Sequence, residues 1–132
     1  MSEKFVVEIL TPDKSIHKSE AMEVVIPSYE GQMGIFKNHI QLITFLRPGI
    51  ILVKSESEKK YYVEEGTVEF SNNNLLILTS IVKDIKTFDK RSIDILIEEA
   101  EKKQQDKELS DKEKYIASYK IETLKEINQQ LN

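Results

Sequence analysis

Cysteine is absent from the 132 residues, which removes disulfides, thiolate nucleophiles and cysteine-ligated metals together. Histidine is nearly absent. His39 follows Asn38 and His17 stands among polar residues, with no spacing that pairs two imidazoles on one ion, so no metal site is expected. Long apolar runs are also missing. None exceeds the length of Ile50–Val53, far short of the roughly 20 residues that span a bilayer. The first residues show no basic segment leading into an apolar core, so no signal or transit peptide is expected. Nor does one sign of charge dominate. The 19 basic and 23 acidic residues give a formal net charge of -4 and are mixed throughout. Nucleic acid is not an expected partner, because phosphate binding needs a concentrated basic surface. No Gly-x-Ser-x-Gly, phosphate-cradling glycine loop or Ser/His/Asp constellation occurs. The adjacent carboxylates Glu64-Glu65 and Glu98-Glu99 diverge on either a strand or a helix, so they read as solvated surface.

What is present divides in two. From Lys4 to about Lys86 the chain is a series of short β-rich segments. Phe5, Val7 and Ile9 alternate with mixed neighbours and end at the turn sequence Thr11-Pro12-Asp13-Lys14. Ser15–Glu20 and Ala21–Ile26 read as strands, Glu30–Asn38 as a loop around two glycines, and Ile40–Leu46 as the next strand, stopped by Pro48-Gly49. Ile50–Ser55, Lys60–Glu64, Thr67–Phe70 and Leu75–Thr79 follow, with Glu56–Lys59 and Asn72–Asn74 as turns. Ile50–Val53 and Leu75–Leu78 are apolar at consecutive positions, which predicts cover on both faces. The expected fold is a β-sandwich over residues 1–86.

From Asp89 onward glycine and proline vanish and helix formers dominate. Ile93, Leu96, Ile97 and Ala100 recur at helical spacing, and Asp106–Ser110 is the expected break. Ser110-Asp111-Lys112-Glu113 has the capping-box form. Ile116, Tyr119, Ile121, Leu124, Ile127 and Leu131 then make a second stripe. Residues 87–132 are expected to form a C-terminal two-helix antiparallel hairpin, giving an α+β chain of two domains.

The order of residue types in Glu30-Gly31-Gln32-Met33-Gly34-Ile35-Phe36-Lys37-Asn38-His39, followed by Leu42, Leu46, Pro48 and Gly49, is distinctive. It resembles the N-terminal domain of the epsilon subunit of the rotary, F-type ATP synthase. Phe5–Leu10 with Thr11-Pro12, Ala21–Ile26, and Gly66-Thr67-Val68-Glu69-Phe70 with Asn74 and Leu76-Ile77-Leu78 are similar to further segments of that family, in the same order. There are departures. Lys37 stands where proline is common, Ile40-Gln41 where alanine-proline is, and Glu65 where a second glycine is usual.

The resemblance implies a non-catalytic rotor subunit that couples the gamma subunit to the membrane c ring during proton-driven ATP synthesis, below the alpha/beta catalytic hexamer. It would sit peripherally on the cytoplasmic face of a bacterial inner membrane, held there through the complex alone; a plastid-encoded chain is the alternative. The loop residues Glu30, Gly31, Gln32, Lys37 and His39 are then expected at the c ring, against the plainer reading of a solvated loop. The hairpin stripe of Ile93, Leu96, Ile97, Ile116, Tyr119, Leu124 and Ile127 is expected to be regulatory and to inhibit ATP hydrolysis. Moving about 1,000 Å² of apolar surface is worth roughly 25 kcal/mol wherever it is buried, so a compact and an extended hairpin can lie close in energy. Members that bind ATP at the hairpin carry Asp-x-x-Arg followed by alanine. Here Asp89 is followed by Lys90, Arg91 and Ser92, so the arginine comes one residue early. On a helix that turns it by about 100°, and lysine does not replace a bidentate guanidinium. No cofactor is therefore expected.

Two rivals come from other classes. A stand-alone β-sandwich ligand-binding module with a dimerising hairpin would enclose a pocket. A small enzyme built on Tyr61, Tyr62 or Glu64 would gather those groups in one cleft with perturbed titration.

Overall fold

The computed structural model describes residues 3–131; positions 1, 2 and 132, the outer ends of the two expected domains, lie outside the described residues. The order of elements is β1 (Phe5–Leu10), β2 (Ser15–Ala21), β3 (Glu23–Ser28), β4 (Gly31–Phe36), β5 (Leu42–Leu46), β6 (Gly49–Lys54), β7 (Glu58–Val63), β8 (Gly66–Ser71), β9 (Asn74–Thr79) and β10 (Val82–Asp84). A short 3-10 turn, Ile85–Thr87, leads to α1 (Lys90–Gln104) and α2 (Asp111–Gln130). The chain separates into two units at Lys83/Asp84, against an expected boundary at 86/87.

The strands run in the order β10-β7-β6-β3-β5-β8-β9-β1-β2, with β4 added to β3. From β7 to β2 the neighbours are antiparallel except β1 and β9, whose parallel ladder runs from Val6–Asn74 to Leu10–Leu78. Alternate residues of the strands point inward, as the period of two requires. Phe5, Val7, Ile9, Val24, Ile26, Ile51, Val53, Val68, Phe70, Leu75 and Ile77 thereby meet in one core. Phe5 and Phe70 pack edge to face with centroids 5.6 Å apart, a favoured ring geometry. The β-sandwich followed by two helices matches the expected fold class.

Two expectations fail. Ile50–Val53 and Leu75–Leu78 are not covered on both faces. Ile51, Val53, Leu75 and Ile77 are buried, whereas Ile50, Leu52 and Leu76 are half-buried and Leu78 is 43% exposed. Each layer has a single inner face, so the second row of apolar side chains remains outside. The segment around the two glycines is not a loop either. Gly31–Phe36 is a full strand, paired with β3 from Glu23–Phe36 to Ser28–Gly31. Gly34 lies within that pairing opposite Val25, and a Cβ there would crowd only the flexible Glu23 carboxylate, at 3.2 Å. The glycines read as a flexible link because glycine is rare in strands, but here lateral pairing overrides propensity.

The hairpin is built as its residue pattern predicts. Ile93, Ile97 and Ala100 of α1 and Ile121, Leu124 and Ile127 of α2 are buried. Ser110 accepts from the Glu113 amide at 3.1 Å, and the Glu113 carboxylate accepts from the Ser110 amide at 3.4 Å. A second capping box goes unanticipated: Asp89 accepts from the Ser92 amide at 2.7 Å, and the Ser92 hydroxyl accepts from the Asp89 amide at 3.4 Å.

Gly66, opposite Thr79 on β9, lies so close to that strand that a Cβ would collide with the Leu78 carbonyl oxygen. Gly66→Ala is therefore expected to lower unfolding stability by about 1–3 kcal/mol, the range for overpacking. Urea denaturation checks this, and an unchanged midpoint would show that β8 and β9 do not approach so closely.

Candidate functional site

The β3–β4 hairpin presents the first group of predicted contact residues. Its turn is Tyr29-Glu30, and Gly31 follows at φ +117°, in the region only glycine adopts freely. The buried Ser28 hydroxyl donates to the Gly31 carbonyl at 2.7 Å and accepts from the Glu30 amide at 3.3 Å. A rigid tip results, with Glu30 and Gln32 exposed and Gly31 half-buried. Arg47 braces it, donating through Nε to the Ser28 carbonyl at 3.1 Å.

Lys37 and His39 lie at the other end of β4. Five strand steps separate Gly31 from Phe36, about 17 Å at the usual rise. The five residues expected to form one contact loop are thus divided between two sites, because the intervening segment is extended. His39 packs its ring edge to face on the buried Phe70 at 5.8 Å, and its Nδ1 donates to the Ile40 carbonyl at 2.8 Å. Asn38, at φ 67°, donates its amide to the Asn73 side-chain oxygen at 2.7 Å, and the Asn73 amide group donates back to Asn38 Oδ1 at 3.1 Å. Asn72 and Asn73 have positive φ values of 52° and 58°, the geometry of a tight hairpin turn. That reciprocal pair fastens the β4–β5 turn to the β8–β9 turn.

Several large apolar side chains that sequence reasoning did not single out are exposed. Phe36 is 53%, Ile40 79%, Ile43 72% and Phe45 64% exposed. In β5, Leu42, Thr44 and Leu46 face inward, so Ile43 and Phe45 must face out. Their cross-strand neighbours on β8 are Glu69 and Thr67, and Leu78 on β9 continues the Phe45–Thr67 row. The available signal was apolar residues at both parities of one strand. It suggests cover on both sides, and here the outer cover is not supplied within the chain's described residues.

Of the residues of the enzyme rival, Tyr62 and Glu64 meet, but Tyr61 does not join them. Tyr61 and Tyr62 are neighbours on β7 and project to opposite faces. Tyr61 shares a hydrogen bond of 2.9 Å with His17 Nδ1, while Tyr62 donates to the Glu64 carboxylate at 3.0 Å. Burial, with the Glu64 charge and hydrogen bond adding to it, raises the Tyr62 pKa well above that of an ordinary phenol. Tyr62 is held as a donor, with no path to release a proton near neutral pH. Among the described residues no three His, Asp or Glu side chains are placed to hold a metal, and no helix is long and apolar enough to cross a membrane. Large side chains including Phe5, Phe70, Ile26 and Leu46 fill the sandwich interior.

In the hairpin, Ile93, Ile97, Leu124 and Ile127 are buried as expected, while Leu96, Ile116 and Tyr119 are half-buried. Tyr119 stacks edge to face on Tyr115 at 4.9 Å, with their hydroxyls 2.7 Å apart. Thr123, missed because it is polar, is buried and donates to the Tyr119 carbonyl at 2.7 Å. The Asp89 carboxylate caps α1, and its hydrogen bonds from Ser92 hold its pKa below the usual range. Arg91 is exposed.

The architecture is a β-sandwich with exposed apolar side chains on β5, followed in the chain by a helical hairpin. The model of the ATP synthase delta/epsilon chain β-sandwich domain matches residues 4–84. Among curated relatives, the chain is 48% identical to the ATP synthase epsilon chain of Pelagibacter ubique, over 97% of this chain and all of that one. It is 31% identical to that of Parvibaculum lavamentivorans, over 96% and 97% of the two chains. Its fold superposes on a chain of the Euglena gracilis mitochondrial ATP synthase (OSCP/F1/c-ring, cryo-EM) with a TM-score of 0.77 at 19% identity, covering all of this chain and 84% of that one. A chain of the Tetrahymena thermophila central stalk and c-ring gives 0.63 at 16% identity, with 96% of each covered. The chain belongs to the epsilon-chain family of the F-type ATP synthase, a non-catalytic subunit of that complex.

His17 supplies a pH test of the sandwich. Burial, and secondarily the Lys59 charge, lower its pKa, so the unfolded chain takes up this proton first. Its stability contribution is complete above about pH 6.5 and declines as pH falls through that value towards the native pKa. Melting of the wild type should therefore lose ground relative to His17→Gln between about pH 7.5 and 5.5. A constant difference would refute the assignment.

Proposed function

We propose that this chain is the rotor subunit that joins the gamma subunit to the c ring in proton-driven ATP synthesis. The observation that carries the reading is the exposure of four large apolar side chains, Phe36, Ile40, Ile43 and Phe45. Removing a Phe or Ile side chain from water is worth about 1.5–3 kcal/mol, so a surface holding four is stabilised by a partner. On this reading these side chains dock on gamma, with Lys37 and His39 at the margin. The rigid Tyr29–Gln32 tip then meets the c ring, and the chain reaches the cytoplasmic side of the membrane only through the complex. A stiff sandwich with two interfaces transmits torque between them.

The hairpin is proposed as a brake on ATP hydrolysis that acts by packing, without bound ATP. Asp89 is already engaged as a helix cap, and Arg91 is displaced from the register that phosphate binding in the family uses.

The test is affinity capture of tagged chain from gently solubilised membranes. Wild type should recover gamma, the c ring and the alpha/beta hexamer. Ile43→Asp and Phe45→Asp should each weaken gamma binding by about 2 kcal/mol or more, roughly thirtyfold, without shifting the urea midpoint. Capture as a lone chain or homo-oligomer would instead favour the ligand-binding module. Truncation after Lys86 should raise the ATPase activity of the assembled enzyme; unchanged activity would remove the brake from the proposal.

A further inference from the structure

Strand register gathers on one outer surface residues that lie far apart in the chain. Strands β5, β8, β9, β1 and β2 are neighbours in that order, and residues paired across them project to the same side. One row runs Phe45–Thr67–Leu78–Leu10. The next, two residues along each strand, runs Ile43–Glu69–Leu76–Glu8–Lys18. All of these are exposed or half-buried, whereas the residues between them, such as Val68, Ile77 and Ile9, are buried.

The two rows differ in charge. The first carries none, and it borders a cleft of about 350 Å³ lined by Leu10, Pro12, Thr67 and Leu78, and also by Glu65. The second interleaves apolar side chains with two carboxylates. Neither Glu8 nor Glu69 forms an ion pair among the described residues, although Glu8 accepts from the Ser15 hydroxyl at 3.0 Å. Lys18, across the ladder from Glu8 on the edge strand, is the one cation in the two rows. Thr67, in the middle of the uncharged row, stands in the chain between Glu65 and Glu69. The apolar row is thus flanked by acid on both sides.

A helix laid across the strands fits such a surface. Neighbouring strands are about 4.8 Å apart, close to the roughly 5–6 Å between helix residues at i and i+3 or i+4. An apolar stripe on a helix therefore meets Phe45, Thr67, Leu78 and Leu10 in turn. The width from β5 to β2, four spacings or about 19 Å, takes about thirteen residues of helix at about 1.5 Å each.

We infer that the Phe45–Leu10 row seats an amphipathic helix of the gamma subunit. Its apolar stripe covers the row, and its flanks carry lysine or arginine against Glu8, Glu65 and Glu69. The inference rests on the reading of this chain as a subunit docked on gamma. It adds the element and the charge that gamma presents.

The chain has no cysteine, so one introduced thiol is a unique probe. Purified gamma is added to full-length Thr67→Cys and, separately, to full-length Glu58→Cys, which puts the thiol on β7, outside these five strands. Alkylation of this chain is followed by mass. With gamma at about ten times its Kd, alkylation of Thr67→Cys should slow about tenfold, and that of Glu58→Cys should not change. Leu10→Ser with Leu78→Ser should weaken gamma binding about tenfold or more. Glu69→Lys should weaken it about threefold at low salt, and the difference should vanish near about 1 M salt. Wild type that fails to bind gamma overturns the rotor reading and this inference together. Gamma binding that leaves the Thr67→Cys thiol as reactive as before overturns the seat alone. Binding that Glu69→Lys leaves unchanged or strengthens overturns the basic flank. Protection that appears without gamma and grows with chain concentration overturns gamma as the occupant in favour of a second copy of this chain.

Discussion

The parallel ladder between β1 and β9 is the constraint on which the sandwich depends. It joins the first strand to the ninth across more than sixty residues, from Val6–Asn74 to Leu10–Leu78. Without it β2 would have no anchor, since β2 pairs in the sheet path only through β1. The Phe5–Phe70 contact lies against the same ladder, and β8 must approach β9 closely enough to demand glycine at position 66. Such long-range pairing is slow to form, because loop closure precedes the contacts that reward it. The placement of the exposed Ile43 and Phe45, carried on β5 beside β8, is inherited from that closure.

Much of this was legible because the physics is local. Alternation in Phe5–Ile9, the turn residues at Thr11–Lys14 and the asparagines at 72–74 each specify geometry within a few residues. The capping box at Ser110–Glu113 and the stripe through Leu124 and Ile127 specify the hairpin in the same way. What was not legible depends on lateral neighbours. Nothing local says that Gly31–Phe36 will find β3, so its glycines read as a loop, and Lys37 and His39 were grouped with a tip that lies a strand's length away.

The exposed apolar row of β5 was obscured for a related reason. Polar loop residues attract attention as contact candidates, while Ile43 and Phe45 read as ordinary core of an apolar strand. Only the pairing of β5 shows which parity faces inward, and hence that Ile43 and Phe45 point outward. The same pairing logic separates Tyr61 from Tyr62, turning a suggestive dipeptide into two unrelated side chains. Asp89 gains meaning from its partner as well, since a carboxylate next to Arg91 is here the cap of a helix.

Both helices of the hairpin begin with a reciprocal capping box. Each therefore satisfies its own leading amides and borrows none of that support from its neighbour. The 20 residues of α2 exceed the roughly 12–15 at which a lone helix becomes marginal in water. Parting the two helices would then break side-chain contacts such as the Asn128–Asp94 hydrogen bond at 3.1 Å while leaving the backbone ladder of each helix whole. Were the two helices parted, each would leave as a capped rod rather than as a chain that must be wound again.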